Sequence, residues 1–239
     1  MSGLKRDRVR DYLLDLIEQH APGTPLPSER DLAQELGVSR PTLRAAVEDL
    51  TQAGLLVRQH GRGTFTSPNK VNQQLSGTST NAFAVPPAEG TWLSAVLEFE
   101  TFPAGAAMGS KLQLSPSEPV LRIVRLRTVD GEPISIERIH VPHDLVRGLE
   151  AADMEQGNFY HLLRTRFGVT VSDAVQTIEP TVTDPEESSH LAVPLHAPAL
   201  LVERTTRDTT ARLVEFTRSI YRGDRYRITS HLKFDPASG

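Results

Sequence analysis

Side chains suited to contacting a nucleic acid are concentrated in residues 27–65, which read PSERDLAQELGVSRPTLRAAVEDLTQAGLLVRQHGRGTF. Arg40, Thr42 and Arg44 fall within about one helical turn, at the start of a segment with helical apolar spacing. An arginine at such a position donates two hydrogen bonds to O6 and N7 of guanine. These residue types therefore indicate recognition of base edges in the major groove of double-stranded DNA.

Further side chains in the same stretch suit the DNA backbone and the minor groove. Arg30 projects from the preceding segment, and the hydroxyls of Ser28 and Ser39 lie at two expected helix starts, where free N–H groups also favour phosphates. A short, glycine-flanked tip can press its backbone into the minor groove with one cation, Arg62. The tip consists of Gln59, His60, Gly61, Arg62 and Gly63.

Several elements must position these side chains. Apolar spacing predicts a first helix over about 6–20, and a capping pattern at Ser28 and Asp31 predicts a second helix to about Leu36. Gly37 ends that helix, and Ser39 caps a third one that carries Pro41 in its first turn and ends at Gly54. Residues 56–59 and 64–66 are expected to pair as a hairpin.

This arrangement resembles the winged helix-turn-helix of GntR-type bacterial transcription regulators, and the resemblance covers about residues 5–68. It implies that Arg30, Arg40, Thr42 and Arg44 contact operator DNA together with the wing residues His60 and Gly61. Pro41 stands where many relatives carry a threonine or another polar residue. The resemblance also implies a homodimer that binds an inverted repeat.

Composition is compatible with this interpretation once the charge is divided along the chain. The 239 residues carry a formal net charge of −4, but residues 1–70 hold 10 Lys and Arg against 9 Asp and Glu. The acidic excess therefore lies in the remainder, and DNA affinity must come from a few focused cations. The chain has no cysteine, and we see neither an export signal nor a membrane span, so we expect a cytoplasmic, nucleoid-associated protein.

The rest of the chain predicts a second, α+β domain on a mainly antiparallel sheet. We expect a DNA-binding domain over 1–68, a polar linker and domain entry over 69–90, and a second domain over 91–239. The predicted strands are near 93–101, 120–129, 133–141, 171–182, 199–207 and 212–221, and the predicted helices near 104–112, 158–167 and 185–192.

An internal similarity runs through this second part. PVLRIVR at 119–125, a hairpin and Glu137 are echoed by PALLVER at 198–204, a hairpin one residue shorter and Glu215. One interpretation is chance similarity between two hairpins. The other is a duplicated β unit with approximate twofold symmetry, which would create a cleft between its halves.

Two strands carry a polar face. Arg125 and Arg127 are two residues apart and share one face, while Glu215, Thr217, Ser219 and Tyr221 share one face of a later strand, opposite Val214, Phe216, Arg218 and Ile220. Such a face is either a wet outer surface or the lining of a cavity. In a cavity, paired arginines suit a phosphate or carboxylate, and glutamates suit sugar hydroxyls or an amine.

The sequences IVRLRTVDGEPISIERIHVP, GNFYHLL and VEFTRSIYRGDRY resemble the UTRA ligand-binding domain of the HutC subfamily, over about residues 75–235. The resemblance implies a chorismate lyase-like fold. It also implies an effector whose anionic end is held by Arg125 and Arg127, with help from Asn158 and Tyr160. The rest of the effector would be held by Glu137, Glu215 and Tyr221. The entry stretch GTSTNAFAVPPAEGTW departs from the phosphate-binding loop of sugar-phosphate sensors, and Asn158 replaces a serine common in them. From the resemblance we therefore expect an effector that is an anionic sugar derivative or a carboxylate.

Three functions follow from these features. The first is a DNA-binding transcriptional regulator, a repressor, controlled by a small metabolite and requiring no cofactor or metal. The second is a constitutive DNA-binding dimer whose second domain only dimerises. The third is chorismate lyase-like enzyme activity, for which the chain lacks a Ser-His-Asp order, metal-ligand spacing and a phosphate loop. His140 and His143 in HVPH are interpreted as surface or loop residues.

Overall fold

The computed structural model describes residues 2–52, 54–59, 61–67, 70–75, 90–155 and 158–230. The chain divides into two compact units, residues 1–70 and 71–239, which are described separately. No helix in the described ranges is long and apolar enough to cross a lipid bilayer.

The first unit contains three helices and a two-stranded hairpin. Its elements are α1 (Ser2–Gln19), α2 (Glu29–Glu35), α3 (Arg40–Gln52), β1 (Leu56–Gln59) and β2 (Gly63–Thr66). The predicted order of elements is confirmed, with α1 beginning four residues earlier than its apolar spacing indicates. The strands β1 and β2 pair in antiparallel register from Leu56 opposite Thr66 to Gln59 opposite Gly63.

Apolar side chains at helical spacing hold the three helices together. Leu13 of α1, Leu32 of α2 and Leu43 and Leu50 of α3 are almost completely buried in one cluster, which Leu56 of β1 also joins. Burial of each leucine contributes about 1.5–3 kcal/mol. The opposite face of α3 is thereby left to solvent, and it carries the residues predicted to contact DNA.

The second unit is built on a long antiparallel sheet. Its elements are β3 (Val71–Leu75), β4 (Trp92–Pro103), α4 (Gly105–Leu112), β5 (Pro119–Val129), β6 (Glu132–Pro142), 3₁₀ helices at His143–Leu145 and Ala151–Met154, α5 (Phe159–Phe167), β7 (Val171–Val182), α6 (Pro185–Leu191), β8 (Pro198–Asp208), β9 (Leu213–Arg222) and β10 (Tyr226–Ser230). All six strands predicted for the large sheet are present, within two residues at each end. The predicted α+β class is confirmed.

The sheet order β4-β5-β6-β9-β8-β7 repeats one unit twice. β4-α4-β5-β6 and β7-α6-β8-β9 have the same succession of elements, and they meet where Arg138 of β6 lies opposite Arg218 of β9. This arrangement supports duplication over chance similarity. The sequence similarity matched Glu137 of the first half with Glu215 of the second, but the strand register does not. Arg125 pairs with Glu137, whereas its counterpart Arg204 pairs with Thr217. Thr217, and not Glu215, therefore occupies the position equivalent to Glu137.

The two faces of the sheet are covered differently. One face packs against α4 and α6 through clusters that include Leu112, Leu191 and Phe216. The other packs against α5 and the second 3₁₀ helix through Met154, Leu163 and their neighbours. Val214 joins this second face, at an irregularity in the β8–β9 pairing, although strict alternation assigned it to the opposite one.

A small second sheet forms where the sequence suggested only a linker. β3 pairs in parallel with β10, from Val71 beside Tyr226 to Leu75 beside Ser230. The ring of Tyr226 stacks on that of Tyr221 with centroids 4.1 Å apart, and the Tyr226 hydroxyl donates to Gln73 Oε1 at 3.4 Å. Residues 76–89, which include most of the predicted linker and domain entry, lie outside the described residues.

Candidate DNA-binding surface and effector site

Side-chain caps fix the start of α2 and α3. Ser28 Oγ accepts from the backbone N–H of Asp31 at 3.2 Å and donates to the Asp31 carboxylate at 2.7 Å. Ser39 Oγ accepts from the N–H of Thr42 at 3.3 Å and lies 2.8 Å from the Thr42 hydroxyl. Both serine hydroxyls predicted to face phosphates are therefore engaged in capping, which aligns the first turn of each helix.

The predicted arginines lie on the solvent-exposed side of these helices. Arg30, Arg40 and Arg44 are exposed, and Thr42 is half-buried beside Ser39. An open cavity of about 520 Å³ runs along the first half of α3, lined by Arg40, Pro41, Arg44, Ala45 and Glu48. The structure thus brings Arg40 and Arg44 together on one concave surface, with Arg30 on the neighbouring helix.

Three acidic side chains lie among these cations. Arg30 pairs with Asp31 at 3.4 Å. Glu29 pairs with Arg44 at 3.3 Å and with Arg58 of β1 at 2.8 Å, and Arg58 also lies 3.7 Å from Glu48. Sequence reasoning missed Glu29 and Arg58, although both lie within the motif that defines the surface.

The wing tip depends on two glycines. Gly61 and Gly63 have φ values of +72° and +111°, which side chains with a Cβ rarely adopt, and a Cβ at either position would meet no atom within 4 Å. Glycine is therefore needed at these two positions for the backbone conformation and not to make space for a neighbouring atom. The guanidinium of Arg62 lies 5.7 Å from the centroid of the Phe65 ring and is exposed. His60, also predicted to contact DNA, lies outside the described residues.

The predicted effector residues of the second unit converge on the sheet face beneath α5. Arg125 Nε donates to Glu137 Oε2 at 2.6 Å, and Arg125 Nη1 donates to the Met154 carbonyl at 3.3 Å. Arg127 Nη1 reaches the same glutamate oxygen at 3.4 Å, and the Tyr221 hydroxyl donates to Glu137 Oε1 at 3.4 Å. Glu137 is therefore the common acceptor of this half of the cluster.

Glu215 is the acceptor of the other half. Its carboxylate accepts from the hydroxyls of Tyr160, Thr206 and Thr217, of which the Thr206 bond measures 2.9 Å. Arg204 Nη2 lies 3.8 Å from Glu215 Oε1, and its guanidinium lies 5.6 Å from the centroid of the Tyr160 ring. Because Glu215, Thr217 and Ser219 are buried, the wet-surface interpretation of this strand face is wrong.

Cations outnumber anions in this cluster by three arginines to two glutamates, counting Arg125, Arg127, Arg204, Glu137 and Glu215. Burial alone would raise the pKa of Glu137, but the charges of Arg125 and Arg127 lower it to about 2. Burial raises the pKa of Tyr221 to about 12, so its hydroxyl stays protonated at neutral pH. Counted at their formal charges, the three arginines and two glutamates leave one excess positive charge.

Arg127 Nε and Ser135 Oγ are buried polar atoms of the cluster that have no hydrogen-bond partner among the described residues. The two residues lie opposite each other in the β5–β6 pairing. A buried donor without an acceptor costs free energy, about 1–3 kcal/mol. An anion placed here would satisfy the arginine donor and neutralise the excess charge.

Asn158 and two histidines lie in surroundings that the sequence did not indicate. Asn158 Oδ1 accepts from the N–H groups of Tyr160 and His161 at 2.9 and 3.4 Å, so this amide caps α5. His140 lies in strand β6 and is half-buried between the rings of Phe102 and Phe216, whereas His143 begins a 3₁₀ helix. The surface-or-loop interpretation is therefore wrong for His140.

Arg204, Thr206, Thr217 and Ser135 were not among the predicted effector residues. The internal repeat contained the signal for Arg204, because Arg204 occupies the position in its half that Arg125 occupies in the other. Alternation along its strand places Thr217 on the polar face with Glu215 and Tyr221. Thr206 and Ser135 carried no comparable signal, since threonine and serine alternate with apolar residues in many ordinary strands.

Comparisons with known proteins agree with this architecture. Residues 5–66 match the bacterial regulatory proteins of the gntR family, and residues 90–227 match the UTRA domain. The chain is 32% identical to the HTH-type transcriptional repressor NagR of Bacillus subtilis over 211 residues, 88% of this chain and 86% of that protein. It is 28% identical to the mannosyl-D-glycerate transport/metabolism system repressor MngR of Escherichia coli over 225 residues, 93% and 92% of the two chains.

A solved structure supports the same assignment. The crystal structure of PhnF from Mycobacterium smegmatis superimposes with a TM-score of 0.66 at 27% identity, over 95% of this chain and 100% of that one. These matches confirm the HutC-type combination of domains that the sequence motifs predict, and they are to regulators, not enzymes. The chain belongs to the GntR family of bacterial regulatory proteins, carries a UTRA effector domain, and is a DNA-binding transcriptional regulator.

Proposed function

We propose that this regulator is a cytoplasmic, nucleoid-associated repressor that binds an inverted-repeat operator as a homodimer and responds to an anionic metabolite. In this proposal Arg40, Thr42 and Arg44 read base edges in the major groove, and Arg30 contacts the DNA backbone. The wing residues His60, Gly61, Arg62 and Gly63 enter the minor groove. The observation that carries the DNA part is the exposed pair Arg40 and Arg44 on one concave surface of a capped helix.

Phosphate contacts at Ser28 and Ser39 take a specific form in this proposal. Because both hydroxyls are engaged in helix caps, we assign the contact at Ser39 to the backbone N–H of Arg40 at the start of α3, since Pro41 has no N–H and the N–H of Thr42 donates to Ser39 Oγ. Ser28 then contributes by holding α2, and Arg30 with it, in place. Neutralising a few phosphates in this way makes affinity strongly dependent on salt.

The effector part of the proposal is supported by the buried cluster beneath α5. Arg125, Arg127 and the newly identified Arg204 attract the anionic end of a metabolite, while Glu137, Glu215 and the hydroxyls of Tyr160 and Tyr221 accept or donate to its polar groups. Asn158 contributes by fixing the helix start that carries Tyr160. The name of the relative MngR refers to mannosyl-D-glycerate, a sugar derivative that carries a carboxylate.

The DNA part is tested by reversing charge on the full-length protein. The variant Arg40→Glu with Arg44→Glu should lose selective binding of the operator in gel-shift titrations, because each bidentate guanine contact contributes about 1–3 kcal/mol of discrimination. The matched control is Arg147→Glu with Arg164→Glu, two exposed arginines of the second unit. Operator binding by the first variant at parental strength, with an intact fold, would refute the assignment.

The effector part is tested by a thermal-shift screen of sugar phosphates, sugar acids and other small carboxylates. A ligand present at 100 times its dissociation constant stabilises the folded protein by about 2.7 kcal/mol. The same ligand should then change operator affinity by about 5–150-fold, the usual range of allosteric coupling. Arg127→Met should abolish the thermal shift and the response to ligand while leaving operator binding intact.

A constitutive DNA-binding dimer is the second candidate, and one observation favours it. Glu137 and the Met154 carbonyl already satisfy Arg125 without any ligand, so part of the cluster can serve stability alone. This candidate predicts that no anion shifts the unfolding temperature. It also predicts that Arg127→Met leaves gene repression unchanged under every growth condition.

A further inference from the structure

Glu29 lies where α2, α3 and the wing strand approach one another. Its two carboxylate oxygens accept from two different arginines: Oε2 from Arg44 Nε at 3.3 Å and Oε1 from Arg58 Nη2 at 2.8 Å. Only 23% of the Glu29 side chain is exposed, compared with 63% for Arg44. The glutamate is therefore a half-buried support, and Arg44 extends from it toward solvent.

Because Glu29 holds Arg44 through its Nε atom, the Nη groups at the end of the guanidinium remain available to donate to DNA. A guanidinium presents Nε on one side and Nη1 and Nη2 at its end. With Nε donating to Glu29, the two Nη groups are left to donate together to the two acceptors of a guanine edge. The carboxylate also restricts the rotamers of a long side chain, so less conformational entropy is lost when Arg44 binds DNA.

The same carboxylate links this arginine to the wing. Arg58 belongs to β1, and its guanidinium is shared between Glu29 and, at 3.7 Å, Glu48 of α3. Of these two acids, Glu29 is the one that forms an ion pair with Arg44 among the described residues. Glu48 therefore carries the same charge on the same surface without that ion pair, which makes it a matched control.

We propose that Glu29 is a positioning residue for DNA specificity, holding Arg44 end-on for guanine recognition. The proposal rests on the proposed function, since it assigns base reading to Arg44. It has an unusual consequence, because an acid beside the DNA surface repels phosphates and weakens overall affinity. Glu29 thus lowers binding to all DNA and raises the preference for one base pair in each half-site.

A purely structural role makes a different prediction. As an acidic residue in the first turn of α2, Glu29 also stabilises that helix electrostatically. If this were its whole contribution, Glu29→Gln would lower the unfolding temperature and weaken binding to all sequences together. Base preference at a single position would not change.

The experiment is selection from a random duplex DNA pool by the full-length protein, followed by sequencing and by affinity measurements on the selected site. The variants are Glu29→Gln, Glu48→Gln, Arg44→Ala and the double variant Glu29→Gln with Arg44→Ala. Arg44→Ala identifies the base pair that Arg44 reads. Glu29→Gln should then reduce discrimination at that same base pair by about tenfold, while preserving the others.

The controls separate positioning from general effects. Glu48→Gln should strengthen binding to unrelated DNA as Glu29→Gln does, with the selected motif unchanged. The double variant should have the same base preferences as Arg44→Ala alone, because Glu29 has no base preference to confer without its arginine, while it should bind all DNA more tightly because one repelling charge is removed. Thermal unfolding of each variant reports whether the fold is retained, and the double variant keeps the comparison valid if Glu29→Gln is less stable.

Specific outcomes would overturn the proposal. An unchanged motif for Glu29→Gln refutes positioning. An equal loss of discrimination at every base pair also refutes it, and so does a loss of discrimination in the double variant beyond that of Arg44→Ala. A failure of the proposed function has a different signature. In that case the parent protein enriches no motif, or Arg44→Ala enriches the parental one.

Discussion

Arg125 and Glu137 face each other across the β5–β6 pairing, with Arg125 Nε 2.6 Å from Glu137 Oε2 and only 8% and 11% of the two side chains exposed. The carboxylate also accepts from Arg127 and Tyr221, so one acid balances several donors. A charge in such a site depends on its partner, because little water is present to solvate it.

Removing one member of this pair should therefore be costly. We expect Arg125→Met to lower the free energy of unfolding of the second unit by about 3–5 kcal/mol, since it leaves a buried carboxylate with fewer donors. Denaturant unfolding followed by the fluorescence of Trp92 measures the change. Arg147→Met is the control, because Arg147 and Asp144 form an exposed pair whose loss costs about 0–1 kcal/mol. Equal effects of the two substitutions would contradict the interpretation.

Arg204 should contribute to effector binding as Arg127 does. We expect Arg204→Met to weaken binding of the anionic ligand found in the thermal-shift screen by tenfold or more, because a hydrogen bond to a charged group contributes about 1.5–3 kcal/mol. Isothermal titration calorimetry measures the affinity. Arg218→Met is the control, since Arg218 lies on a neighbouring strand and pairs with Glu187 and Glu203. Unchanged affinity in Arg204→Met would remove Arg204 from the site.

His140 should make the second unit sensitive to mild acid. Burial, reinforced by the charges of Arg122 and Arg138, lowers the pKa of His140 below its usual value of 6.5. Below pH 6.5 the unfolded chain therefore binds a proton that the folded protein resists, and stability falls as the pH decreases below that value. We expect His140→Phe to remove part of the decrease between about pH 7 and 5, measured by denaturant unfolding. His161→Gln, at an exposed helix position, should retain it.

The cap on α2 should be measurable as local stability. Ser28→Ala removes the acceptor of the Asp31 N–H, and such substitutions cost about 0.5–2 kcal/mol. Hydrogen exchange at the amides of Leu32 and Ala33 should accelerate accordingly. Ser110→Ala, in an exposed position of α4, should leave exchange in α2 unchanged. The same Ser28→Ala variant should bind operator more weakly if Arg30 depends on this cap.

The long strands were predictable because their side chains alternate between two buried faces and their ends carry turn residues. β3 and β10 were not, since VNQQL and YRITS are short and polar, and each is stabilised by a partner about 150 residues away in the chain. No local pattern reports such a pairing. The same limitation explains why residues 71–75 appeared to belong to a linker.

For the candidate sites, too, some residues could be predicted from the sequence and others could not. Arg125, Arg127, Glu137, Tyr160, Glu215 and Tyr221 were recognised from face-sharing and family resemblance, and they do converge on one cluster. The Arg44–Glu29–Arg58 contacts were not predictable, because they join three elements whose packing angles the sequence does not specify. The capping role of Asn158 follows from its place before α5 and was obscured by its expected ligand role.

The stacked tyrosines tie two distant parts of the chain together. Tyr221 donates to Glu137, its ring lies against Tyr226, and Tyr226 donates to Gln73 in the strand that begins immediately after residue 70. An anion that competes with Glu137 for Arg125 would therefore disturb Glu137. That glutamate is linked to Gln73 of β3 through Tyr221 and Tyr226. The two tyrosine rings therefore connect the effector cluster to β3, the first strand of the second unit, through direct contacts.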